Sequence, residues 1–106
     1  MPKYLVQASH KPEGTKGLLK DGGTKRRAAV QQMVTGLGGS LEAFYYAFGD
    51  ADAYVIVDVP DNVTAAAVSL AVNASGAVSV KTIPLLTPED IDKAAKKTVS
   101  YRAPGQ

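Results

Sequence analysis

Residues 39–61 constrain the fold more than any other part of the chain. They read as a glycine stop, a strand, a tight turn, a second strand and the start of a helix. Residues 40–48 alternate: Leu41, Ala43, Tyr45 and Ala47 share one face, and Glu42, Phe44, Tyr46 and Phe48 share the other. A period of two is the signature of a strand. Gly49-Asp50-Ala51-Asp52 is a turn, and residues 53–59 alternate again. There Ala53, Val55, Val57 and Val59 oppose Tyr54, Ile56 and Asp58. The short connection makes the pair an antiparallel hairpin.

The flanking chain supplies what a hairpin needs to become a domain. Residues 4–10 predict a first strand, with Val6 and Ala8 on the core side and Leu5, Gln7 and Ser9 opposite. Lys11-Pro12-Glu13-Gly14 predicts a turn. Two helical pieces follow, 15–20 and 24–37, divided by Gly22-Gly23, because a helix-interior glycine costs about 1 kcal/mol relative to alanine. Thr24 is a candidate N-cap of the second piece. Val30, Met33, Val34 and Leu37 form its apolar stripe. Asp61 is the expected N-cap of a helix running to about residue 74, with Val63, Ala67, Leu70 and Ala71 expected inward. Residues 77–85 predict the last strand, and residues 88–97 a further helix with proline in its first turn. One domain is expected over residues 1–98, with 99–106 an extended or mobile tail.

Strand, helix, strand, strand, helix, strand is the order of the ferredoxin-like βαββαβ domain. The expected fold class is α+β: a four-stranded antiparallel sheet, two helices on one face, and an extra C-terminal helix. The helices are expected to cover Val6, Ala8, Ala43, Val55, Val57, Val78 and Val80. The opposite face then holds Phe44, Tyr46, Phe48 and Tyr54 beside Asp58 and Lys81. An apolar patch of that size is rarely left in water on a monomer. Two such sheets face to face form a dimeric α/β barrel, so a homodimer or higher oligomer is the expected self-partner.

Composition removes several function classes. Cysteine is absent and His10 is the only histidine, which excludes thiol chemistry and a multi-histidine metal site within one chain. No metal and no cofactor is expected. The net charge is +2, and the cluster Lys25-Arg26-Arg27 lacks the continuous basic face of a nucleic-acid protein. No apolar run approaches the ~20 residues of a membrane span. The expectation is a cytoplasmic protein with neither nucleic acid nor membrane as partner.

Gly38-Gly39, Phe44-Tyr45-Tyr46, Phe48-Gly49, Asp52 and Asp58-Val59-Pro60-Asp61 together resemble the GYD-domain family of small bacterial proteins. Pro12-Glu13-Gly14 and Ala74-Ser75-Gly76 fit the same pattern. The resemblance covers roughly residues 3–85. It implies a ferredoxin-like fold of the dimeric α/β-barrel group and carries no assigned reaction. The chain departs from the pattern where Ala51 takes the place of the name-giving tyrosine. It departs again at His10, where threonine is frequent, and at Asp58, where glutamate is.

His10 is a candidate general base at the barrel mouth, although an exposed strand-end residue is the simpler reading. Asp58 is the second catalytic candidate; as a carboxylate on an apolar strand it needs a partner, which Lys81 or an arginine would supply. Phe44, Tyr46, Tyr54, Asp58 and Lys81 are the candidate ligand-binding set. Two readings of function follow. In the first, the oligomer binds a small, partly apolar molecule in its barrel, and catalysis is not asserted. In the second, the sheet face is filled by its own partner and the protein is a structural or interaction module that binds another protein through residues 88–106.

Overall fold

A computed structural model describes all residues, 1–106. Its elements are β1 (Lys3–His10), α1 (Pro12–Asp21), α2 (Gly23–Gly36), β2 (Ser40–Tyr46), β3 (Ala53–Asp58), α3 (Asn62–Ala74), β4 (Val78–Leu85) and α4 (Pro88–Ala95). The expected turn at residues 11–14 is instead the start of α1. Proline at the first helical positions has its φ already set and loses no hydrogen bond there. Gly22, at φ 84°, breaks the chain between α1 and α2. Thr24 is not a cap: α2 begins at Gly23 and has no side-chain cap bond. At its far end Gly38 takes φ 80°, and the Gly39 amide returns to the Val34 carbonyl at 3.0 Å.

The strands form one four-stranded sheet in the order β2-β3-β1-β4. All three neighbouring pairs are antiparallel. The central strands thus come from opposite parts of the chain, and α2 and α3 carry the connections to the edge strands. Val34 of α2 and Ala65 of α3 share a core cluster with Tyr4, Val55, Val57 and Val59. Both helices therefore cover the same face. A smaller cluster, Ala8, Ala53 and Val78, lies toward the other end of the strands. Small and β-branched side chains at these positions let the helices come close to the sheet.

A bulge in β2 overturns one expectation. Ser40 and Leu41 pair with Asp58 and Val57, but Ala43 pairs with Ile56, so Glu42 is an extra residue. An extra residue inverts the facing of everything beyond it. Phe44, opposite Val55, packs into both core clusters beneath the helices. Tyr46, opposite Ala53, follows it to the helix side and stacks at a tilt on Phe44, with ring centroids 5.1 Å apart. Ala43 and Tyr45 occupy the open face instead. One cross-strand row there runs Tyr45, Tyr54, Gln7, Lys81, and the next runs Ala43, Ile56, Leu5, Ile83. Phe48 lies beyond the strand and is fully exposed.

α3 is also rotated from the expected setting. Ala65, Val68, Ser69 and Val72 face the sheet, while Val63 and Leu70 are 78% and 72% exposed. An alanine-rich helix has little hydrophobic contrast around its circumference, and a cap at its start and one polar contact with β4 accompany this setting. The Asp61 carboxylate accepts the Thr64 amide at 2.8 Å, as expected of an N-cap. The Ser69 hydroxyl meets the Thr82 hydroxyl of β4 at 2.5 Å. α4 opens with a capping box between Thr87 and Asp90 and buries none of its residues.

Candidate functional site

His10 ends β1 on the helix side, because Tyr4, Val6, Ala8 and His10 are its inward-facing alternation. It is not at the mouth of an open-face barrel, as the sequence suggested, but beneath the helices. Its side chain is 8% exposed. The Asp52 carboxylate accepts the His10 backbone amide at 2.7 Å and lies 3.7 Å from Nδ1. Asp52 is itself held by its backbone: its amide donates to Ala8 and its carbonyl accepts from Ala47, both at 2.8 Å. Ala51 beside it is buried.

Around His10 the helices stand apart from the sheet. A cavity of about 80 Å³ lies between α2, α3 and the four strands, and its walls are almost wholly apolar. Val30, Phe44, Val55, Val68 and Val80 are among them. Beside it a larger cleft of about 450 Å³ opens between α1, α2 and the C-terminal end of α3. Cavity and cleft share His10, Arg26, Met33, Val72 and Val78. Glu13 and Asp21 also line the cleft. They lie 3.9 Å from Lys16 of α1 and 3.7 Å from Lys25 of α2, respectively. Arg26 has no carboxylate at ion-pair distance. Tyr46, on the same side of the sheet, reaches the start of α2: its hydroxyl donates to the Gly23 carbonyl at 3.0 Å. Burial pushes its phenol upward, and the charges of Arg26 and Arg27 partly oppose that.

The sequence-predicted set does not converge. Phe44 lines the cavity, Tyr46 lies on the same side of the sheet but outside its walls, and Tyr54, Asp58 and Lys81 are on the opposite side of the sheet. Asp58 has its partner, but it is Lys3 rather than Lys81. The Lys3 ammonium lies 2.9 Å from both Asp58 and Glu42, the bulged residue. Hydrogen bonds that Lys3 donates, first to Glu42 and then to Asp58, raise its pKa. This cluster ties β1, β2 and β3 together at the end of the sheet remote from His10. No three His, Asp or Glu side chains gather as a metal site would require. Sequence reading passed over Arg26 and Met33 as cleft residues, since nothing in their spacing refers them to His10. Both belong to the α2 pattern, and only the crossover brings that helix to the space that His10 borders.

The family model described as GYD domain matches residues 4–95. The chain belongs to the GYD-domain family. In this GYD domain the match runs from β1 to the last residue of α4, so it takes in the hairpin, the bulge and every wall of the cleft. No curated protein and no solved structure matches the chain. No helix of this GYD domain is long and apolar enough to cross a membrane.

Proposed function

We propose that the protein is a homodimeric binding protein of ferredoxin-like fold that holds a small, partly apolar molecule. The observation that carries the binding reading is the apolar cavity under α2 and α3 adjoining the polar-rimmed cleft. Small-molecule sites combine largely apolar walls with a few polar groups in this way. The site differs from the one inferred at the open sheet face: Phe44 belongs to it, and Tyr54, Asp58 and Lys81 do not. Ferredoxin-like topology is supported by the β2-β3-β1-β4 order with helical crossovers on one face. Self-association is supported by the open face, where Leu5, Tyr45, Tyr54, Ile56 and Ile83 form adjacent rows on the side away from α2 and α3. Tyr45 is 71% exposed there. Face-to-face packing of two sheets would cover these side chains.

Native mass spectrometry, gentle and then denaturing, tests both parts. A dimer carrying extra mass is expected. A monomer would remove the self-association reading, and a protein that neither retains nor takes up a small molecule would remove the binding reading.

A second reading rests on the C-terminal arm. Leu86, Ile91, Val99 and Tyr101 are all more than half exposed, and the molecule extends over 56 × 33 × 22 Å. An arm of this kind suits an interaction module that binds another protein. Deletion of residues 99–106 should then abolish partner binding and leave the oligomer intact; retained binding would count against it.

A further inference from the structure

We infer that the ligand of the helix–sheet cleft is an anion with a short, branched apolar body, a small aliphatic carboxylate. The inference deepens the binding reading above and rests on it.

The apolar end is limited by volume. The cavity is about 80 Å³, whereas an engineered apolar cavity of about 150 Å³ takes up benzene. A branched chain of a few carbons matches the smaller space, and valine walls from three strands and two helices suit it.

The polar end is set by which charges at the rim are already satisfied. Glu13 faces Lys16 and Asp21 faces Lys25. Arg26 alone has no counter-ion, and it lines both the cavity and the cleft. His10 adds an independent observation. Its side chain is nine-tenths buried, its Nδ1 is 3.7 Å from Asp52, and no protein group hydrogen-bonds to its ring. The ring lines both spaces. No unbonded ring nitrogen is sealed from solvent, so the imidazole is open to a molecule in the cleft. A carboxylate at the cleft would accept from Arg26, whose planar fork matches it bidentately, and from His10 Nε2–H. Arg26 is exposed and hydrated, so an ammonium would meet the same cation unfavourably, and an alcohol would gain nothing from its charge.

Methyl-resolved NMR titration of the full chain tests this with isovalerate, 3-methylbutanol and isoamylamine, on wild type and Arg26→Gln. Isovalerate should shift the methyl resonances of Val30, Val68 and Val80 and bind roughly tenfold more tightly than the alcohol. Arg26→Gln should abolish that preference and leave alcohol binding as it was. Equal binding of acid and alcohol, or an acid affinity indifferent to Arg26→Gln, would overturn the anion inference while the pocket stands. Failure of all three compounds to move the cavity methyls would remove the pocket and the inference together. A unique response to isoamylamine would assign the rim to Glu13 and Asp21 instead.

Discussion

Gly14 lies directly against the carbonyl of Ala77, so closely that a β-carbon on Gly14 would overlap the oxygen. The same carbonyl accepts the Lys11 amide at 2.9 Å. The first turn of α1 is thereby docked on the approach to β4, and the wall of the cleft is set. Gly14→Ala must push α1 away from Ala77 and should destabilise the protein by about 1–3 kcal/mol. Gly17, on the same helix, has open space where its β-carbon would be. Gly17→Ala should instead be stabilising by up to about 1 kcal/mol. Urea unfolding of the two variants measures the contrast, and similar values would disprove the docking.

The β2 bulge sends Phe44 into the core and Tyr45 out of it. Phe44→Ala should cost about 2–4 kcal/mol, as large-to-small changes in packed interiors do. With Phe44 on the open face the loss would be far smaller. Thermal unfolding followed by circular dichroism distinguishes the two.

Tyr45→Lys places a charge in the middle of the open face. The far-ultraviolet spectrum should be kept, because the side chain is mostly in solvent within one chain. Sedimentation should change from dimer to monomer, since an unpaired charge is costly in a covered interface. A dimer unaffected by Tyr45→Lys would locate self-association elsewhere.

Val68 lines the cavity but not the cleft. Val68→Leu should fill part of the void and stabilise the fold by about 0.5–1 kcal/mol. It should also weaken isovalerate binding several-fold. Stabilisation with unchanged binding would mean that the void is a packing defect without a ligand.

Asp61 caps α3, and the bonds from the Thr64 amide and hydroxyl hold its carboxyl below the usual carboxylate range. A group whose pKa is lowered on folding stabilises above its unfolded value and loses that contribution as pH falls through the folded one. Asp61→Ala should therefore lower the melting temperature near neutral pH. Relative to wild type the deficit should shrink as the solution is taken to about pH 2. A deficit independent of pH would show that the charged cap is not what is lost.

Much of the architecture was legible. Strand periodicity in residues 53–59 and 77–85, the glycine stops at Gly22 and Gly38, and the Asp61 cap are local signals whose causes lie within a few residues. The candidate site was not. Phe44 and Tyr46 were assigned to the open face because strict alternation across residues 40–48 has no mark for an extra residue. Glu42, that residue, is exposed and meets Lys3 at 2.9 Å, a partner far away in the chain. His10 was recognised as the unusual titratable side chain, but not as a buried one.

By itself the sequence determined the order of elements, most of their limits, the cap that begins α3 and the proline that begins α4. These depend on backbone preferences and on hydrogen bonds within a turn or two. Tertiary structure alone decided which way β2 faces beyond its bulge, how α3 is rotated, and that Arg26 and His10 border one space. Each of those outcomes brings in residues distant in the chain: Lys3 beside the bulge, Thr82 beside α3, and His10 with Arg26 around one cleft. A side chain's periodicity says that it has a face, and only the packing of the other elements says what that face meets.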